Sequence, residues 1–190
     1  MIRIIASLLV RDGMLVKGER FDPWRVVGAP VEWVRVMAGL REVDEIVMLD
    51  VGRTPADLGL IERVASECFV PLAYGGSIYS VQEAERIVAL GVDKIVLLPK
   101  HVMLMAMLAQ RLGRQAVVAC VDHYGGNGSG GPKARRATAR YCVRSGAGEV
   151  LVQAVQREGT MGGPDLILAQ AMRHALPDTP LIYSGGLGTL

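Results

Sequence analysis

The sequence has few cysteines, little charge imbalance and no long apolar run, and each shortage excludes a class of protein. Its cysteines are Cys68, Cys120 and Cys142, an odd number with no C-x-x-C spacing. A disulfide framework and a thiolate zinc site are therefore excluded as organising devices, and a reducing cytoplasm fits best. Each cysteine lies in an apolar or helical stretch and reads as a small core residue. Lys and Arg number 21 against 19 Asp and Glu, a net charge of +2 with both signs scattered. That balance gives no basis for a nucleic acid or an anionic membrane as partner. No apolar run approaches the ~20 residues needed to span a bilayer. The first apolar run, residues 4–10, has only Arg3 ahead of it and meets Arg11 and Asp12 directly after. It reads as a buried strand rather than a signal peptide.

What is present is an ordinary globular composition: 51% hydrophobic and 21% charged residues, too apolar for disorder. Short runs rich in Val, Ile and Leu fall at 3–9, 45–49, 70–74, 94–98, 116–121, 149–154 and 181–183. Strands buried on both faces have this pattern. Amphipathic stretches between them predict helices over roughly 30–41, 56–67, 80–90, 101–112, 132–145 and 164–175. Ser80-Val81-Gln82-Glu83 is a capping-box start, and Gly91 and Gly113 stand where helices end.

Repeated strand–helix–strand units predict an α/β fold with a parallel sheet. An internal echo then favours a barrel over an open sheet. Pro71-Leu72-Ala73-Tyr74-Gly75-Gly76 recurs as Pro180-Leu181-Ile182-Tyr183-Ser184-Gly185-Gly186. Ile4 to Leu9 is echoed by Val117 to Asp122, and Asp44-Glu45-Ile46-Val47 by Gly148-Glu149-Val150-Leu151. A four-strand half used twice predicts a (β/α)8 TIM barrel. The residues supply seven strands and six helices, so the expectation is one domain over 1–190, a barrel lacking its last strand–helix unit. Omitting that unit would expose about ten core side chains at ~1.5–3 kcal/mol each, more than the ~5–15 kcal/mol net stability of a domain. A fragment or prematurely ended chain is therefore expected, the alternative being a chain that rearranges or borrows a partner's surface.

In such a fold, chemistry belongs at the carboxyl ends of the strands. Gly75-Gly76-Ser77 follows strand three, ahead of a helix start. Glu158-Gly159-Thr160 follows strand six, and Ser184-Gly185-Gly186 follows strand seven. Glycines there let backbone N–H groups approach an anion, and the symmetric placement favours two phosphate sites over plain turns. Asp122 ends strand five and is placed to act as a general acid or base. Asp50 ends strand two, where a structural role is the better reading, and His123 reads as a loop residue. Lys17, in the loop after strand one, either holds a phosphate or is solvated. At the amino ends stand Arg3, Glu45, Lys94 and Glu149, two cations and two anions able to form a ring of salt bridges; ordinary strand-end charges are the alternative.

These residues resemble a known family. Arg3-Ile4-Ile5-Ala6, Asp12-Gly13, Val16-Lys17-Gly18, Asp44 to Asp50, Tyr74-Gly75-Gly76, Gly91-Val92-Asp93-Lys94, Gly146-Ala147-Gly148-Glu149 and Arg157-Glu158-Gly159-Thr160 resemble, in order along the whole chain, the cyclase subunit of imidazole glycerol phosphate synthase. The resemblance implies a barrel that binds a ligand with two phosphates. One phosphate falls on Gly75-Gly76, the other on Gly159 with Gly185-Gly186. It implies a glutaminase docked at the amino-end face near Asp93, and ammonia entering past a gate of Arg3, Glu45, Lys94 and Glu149. It makes Asp122 the second of two catalytic aspartates. It requires no cofactor and no metal. The reaction implied joins ammonia and a bis-phosphorylated ribulosyl precursor to give imidazole glycerol phosphate and an aminoimidazole ribonucleotide.

The sequence departs from the family pattern at the carboxyl ends. The first catalytic aspartate is replaced by Leu9, which transfers no proton. The small polar pair after strand four is Leu98-Pro99, and Pro99 has no N–H to offer. The third glycine after strand three is Ser77. Leu8-Leu9 and the segment Ala65-Ser66-Glu67-Cys68-Phe69-Val70-Pro71-Leu72-Ala73-Tyr74 resemble a divergent branch that accompanies genes for bacterial surface polysaccharide. That resemblance implies ammonia delivery for amidination of a sugar, with a third, sugar-modifying enzyme as partner. A truncated, non-catalytic barrel that only binds a partner is the remaining alternative.

Overall fold

The computed structural model describes residues 2–52, 55–125 and 131–188. The expected boundary at Leu190 lies outside the described residues. Two compact units form: Met1–Lys17 with Arg25–Val96, and Gly18–Trp24 with Leu97–Leu190.

The first unit begins with strand β1 (Ile5–Arg11), β2 (Met14–Lys17) and β3 (Arg25–Gly28). It continues through helix α1 (Pro30–Ala38), β4 (Glu45–Asp50), α2 (Leu58–Glu67), β5 (Leu72–Gly75), α3 (Val81–Ala89) and β6 (Lys94–Leu97). β1, β4, β5 and β6 pair in parallel in that order. The hairpin β1–β2–β3 adds antiparallel pairing at the β1 edge. The hairpin was not expected from periodicity, and it moves Lys17 from a loop to the exposed end of β2, opposite Arg25. Its cause is the Asp12-Gly13 pair. Both residues have positive φ, 52° and 75°, as a two-residue hairpin turn of the primed type requires, and Arg11 pairs directly with Met14 across it.

The second unit opens with a 3-10 turn (Pro99–His101) and α4 (Val102–Leu112), followed by β7 (Val117–His123) and α5 (Pro132–Arg144). It ends with β8 (Glu149–Ala154), α6 (Leu166–Ala175) and β9 (Leu181–Ser184). β7, β8 and β9 are parallel neighbours. All six expected helices form within a few residues of their expected limits. The architecture is α/β, the strand–helix succession of a partial TIM barrel, as the sequence implies.

The reason for these elements is local. In α3 the Ser80 hydroxyl accepts the Glu83 N–H at 3.2 Å while the Glu83 carboxylate accepts the Ser80 N–H at 3.0 Å, a reciprocal cap. Val81, Ala84 and Ile87 then fall on one buried stripe. β7 and β8 are buried along nearly their whole length, as both-face burial of parallel strands demands. Each fully buried Val, Ile or Leu there contributes roughly 1.5–3 kcal/mol.

Candidate active site

Strand register sorts the chemical residues by face. In the first unit Ile5 pairs with Glu45, Ser7 with Val47 and Leu9 with Leu49. Leu49 in turn pairs with Gly75, and Gly75 with Val96. Side chains alternate along a strand, so one face runs from Glu45 and Lys94 at the amino ends to Leu9, Leu49 and Gly75 at the carboxyl ends.

At the amino end the Glu45 carboxylate is 2% exposed. Its Oε2 accepts from Lys94 Nζ at 2.8 Å and from Arg3 Nη1 at 3.1 Å. The Lys94 side chain is 14% exposed and that of Arg3 39%. Three of the four residues expected to form the ring thus converge on one buried oxygen. Glu149 stands at the amino end of β8 in the second unit, buried. Asp93 is exposed just before β6, where its carboxylate accepts the Leu72 N–H at 2.8 Å. Asp44 does the same for Ile4 at 2.7 Å. Each of these aspartates ties the start of one strand to that of its parallel neighbour in the sheet, a role that sequence reading did not assign.

At the carboxyl end of the second unit, Asp122 pairs in register with Gln153, and Gln153 with Ser184. These three side chains form a polar row. Burial raises the Asp122 carboxyl above its ordinary value; the Cys120 thiol, Arg135 and the Tyr124 hydroxyl act against that shift. The Cys120 thiol lies 3.7 Å from Asp122 Oδ1, and burial with the nearby carboxylate pushes the thiol well up, so it remains a proton donor. A carboxyl with a raised pKa at a strand's carboxyl end is suited to moving protons. His123, on the opposite face by alternation, is buried.

The two glycine turns differ. Gly75 is the last residue of β5, and a Cβ there would lie 2.9 Å from both Leu49 Cδ2 and Val96 Cβ. A Cβ on Gly76 would lie 2.6 Å from the Tyr74 hydroxyl and 3.0 Å from Asp50 Cβ. Packing alone therefore demands glycine at both positions. The α3 start is closed by its own side chains, since Glu83 Oε2 accepts from Tyr79 and Ser80. Asp50 Oδ1 accepts the Gly52 N–H at 2.9 Å, a turn-closing role, and burial raises its carboxyl.

In the second unit, Gly186 has φ 83° and Gly159 φ 70°. A Cβ would collide with the Gly163 carbonyl in the first case and the Gly18 carbonyl in the second. The Gly163 N–H donates to the Gly186 carbonyl at 2.9 Å, tying the loop after β8 to the loop after β9. Between them lies an open cavity of about 300 Å³ lined by Met161, Gly163, Pro164, Gly186, Leu187 and Gly188. Gly185, φ 110°, packs against the Ala154 carbonyl. Gly159 and Gly185-Gly186 thus stand on two loops that the Gly163–Gly186 bond ties together. Among the described residues no three His, Cys, Asp or Glu side chains converge as a metal site requires.

Against this geometry, comparison with known proteins is decisive. The family model for histidine biosynthesis proteins matches residues 3–190. The chain belongs to that family. Within it, the imidazole glycerol phosphate synthase subunit HisF of Thermococcus gammatolerans is 37% identical, covering 98% of this chain and 80% of the relative. The HisF subunit of Myxococcus xanthus is 36% identical over the same shares, 98% and 80%. That of Exiguobacterium sibiricum is 35% identical over 99% of this chain and 82% of the relative. This member of the histidine biosynthesis family is thus HisF-like along its whole length. No described helix is long and apolar enough to cross a membrane.

Proposed function

We propose that this chain is the ammonia-using cyclase subunit of a glutamine amidotransferase complex, of the imidazole glycerol phosphate synthase type. The observation that carries the reading is the buried Glu45 carboxylate bridged by Arg3 and Lys94 at the amino ends of the strands. Glu45 and Lys94 are held there with little exposure to water. They suit a gate through which ammonia from a docked glutaminase enters, with Glu149 as its fourth member and Asp93 beside the docking face. Beyond the gate the same face is lined by Ile5, Ser7, Val47 and Ala73, small or apolar side chains that hold no proton for ammonia to take up.

The ligand is a small substrate with two phosphates, one against the Gly75-Gly76 turn and one against Gly159, Gly185 and Gly186, with Lys17 as a further cation. Asp122 is the acid/base, an effect commonly worth ~10²–10⁴ in rate. The test is turnover of the bis-phosphorylated ribulosyl precursor with glutamine and a glutaminase partner. Formation of imidazole glycerol phosphate is the expected outcome; folded protein without turnover overturns it.

A second reading has its own observation. Leu9 is buried in register beside Leu49, so the carboxyl end of β1 offers no proton carrier. Ammonia would then pass on to a third enzyme, a sugar-amidinating one. Under this reading the chain stimulates its glutaminase only when that enzyme and its substrate are present. Glutamine hydrolysis indifferent to the chain would eliminate it.

A further inference from the structure

Two side chains flank Asp122 from its own stretch of chain, and the reading above gives neither a role. Residues 118, 120 and 122 of β7 share one face by alternation, and Tyr124 follows His123, the last residue of the strand. Cys120 is buried, one step toward the amino end, with its thiol 3.7 Å from Asp122 Oδ1. From the solvent side the Tyr124 hydroxyl donates to the same carboxylate, although the residue is 56% exposed. Both groups donate only while neutral. Burial, and then the neighbouring carboxylate, pushes each of them up, so each keeps its proton. On β8 the in-register neighbour Gln153 turns its amide N–H to Glu158 at 2.7 Å instead. Of the elements packed against β7, the 3-10 turn Pro99–His101 carries Lys100 and His101, α4 carries Arg111, and the turn Val155–Arg157 carries Arg157. α5 contributes Arg135, the cation whose charge reaches the Asp122 carboxyl among the described residues.

Leu9 makes these contacts matter. With leucine at the end of β1, proton transfer falls to one carboxyl, which must release protons as well as take them up. Burial alone favours the protonated form of Asp122. A donor to the carboxylate favours the ionised form and also fixes the direction of its oxygens. We propose that Cys120 and Tyr124 are positioning residues for Asp122: they hold its carboxylate from two sides, orient it for proton transfer and keep it able to ionise. The proposal rests on the reading of Asp122 as the acid/base.

The test follows the Asp122 carboxyl itself and needs no turnover. The full chain is isotope-labelled at the aspartate carboxyls, and the Asp122 NMR signal, assigned by its loss in Asp122→Asn, is followed against pH. Tyr124→Phe and Cys120→Ala should each raise its titration midpoint by about 0.5–1 pH unit, and the double variant should move it further than either. Tyr141→Phe, on α5 and 51% exposed, should leave it unchanged. Cys120→Val fills the space without offering a donor and takes the place of Cys120→Ala if that variant does not fold. Tyr124→Phe alters an exposed residue and leaves the core intact. In turnover assays the acid limb of the kcat profile should move up in the same variants with KM unchanged. A merely structural role would lower the melting temperature and leave both midpoints in place. An unmoved Asp122 midpoint in Tyr124→Phe or in the Cys120 variant overturns the proposal. Full turnover by Asp122→Asn would instead overturn the acid/base reading while the NMR midpoints still shift, so the two failures are separately visible.

Discussion

The two units repeat one plan and differ in where they keep their polar side chains. By the internal echo Leu9, Leu49 and Gly75 correspond to Asp122, Gln153 and Ser184, and each set is one register row across adjacent strands. The first unit's row is apolar and the second unit's is polar. At the amino ends the first unit holds the Arg3–Glu45–Lys94 cluster, while the second holds the buried Glu149 that corresponds to Glu45. Polar side chains at the carboxyl ends are therefore confined, among these rows, to one half of the repeat. A second contrast lies behind the glycine turns. The Tyr183 hydroxyl accepts the Asp165 N–H at 2.7 Å, and Asp165 caps α6. Its counterpart Tyr74 is 1% exposed, and its hydroxyl has no partner among the described residues, although Asp57 caps α2 in the same manner. Burial and the nearby Asp50 and Asp57 carboxylates push the Tyr74 phenol up, so it stays protonated.

The largest effect should come from the amino-end cluster. Glu45→Ala removes the buried carboxylate that accepts from both Lys94 and Arg3 and should cost ~3–5 kcal/mol, measured by urea unfolding. Arg3→Ala, at the more exposed end, should cost at most about 1 kcal/mol. Equal losses would show that the two cations are held equivalently. Next come the tyrosines. Tyr74→Phe removes a buried hydroxyl with no partner and should stabilise the chain by ~1 kcal/mol, whereas Tyr183→Phe strands the Asp165 N–H and should destabilise it by ~0.5–1.5 kcal/mol. A loss in both variants would mean that Tyr74 has a partner, such as ordered water, and would erase the contrast.

The polar row predicts a pH signature. Asp122 binds its proton more tightly when folded than when unfolded, because burial raises its carboxyl from 3.8. Its contribution to stability is complete below that unfolded value and is lost as pH rises through the folded value. Asp122→Asn should therefore match the parent in strong acid and melt higher at neutral pH, a gain linked to lost catalysis. A parent that melts higher at neutral pH would contradict the assigned cause. An effect of similar size to the tyrosines' belongs to α3: Ser80→Ala should cost ~1 kcal/mol through the lost cap, read from the shift in denaturation midpoint.

Much of this was legible in the residues. The seven parallel strands and six helices follow from apolar runs and amphipathic spacing, and the α3 start follows from Ser80 and Glu83. The β2–β3 hairpin was missed because its strands are only four residues long, although Asp12-Gly13 carried the signal. Lys17 was misplaced for the same reason. Asp122, Glu45, Lys94 and Arg3 stand out as charges at the ends of apolar strands. What composition could not reveal is register: that Gln153 and Ser184 align with Asp122 depends on which residues pair across strands. The difference between Tyr74 and Tyr183 is also invisible in sequence, because both sit before a similar turn and only hydrogen-bond geometry separates them.

The most direct test of the central claim supplies ammonia without a partner. The chain and its Asp122→Asn variant are incubated with ammonium salt at mildly alkaline pH and the bis-phosphorylated ribulosyl precursor, and imidazole glycerol phosphate is quantified. The account predicts turnover by the parent chain and a fall of ~10²–10⁴ in the variant. Equal rates in the two proteins, or none in a cooperatively folded parent, would contradict it.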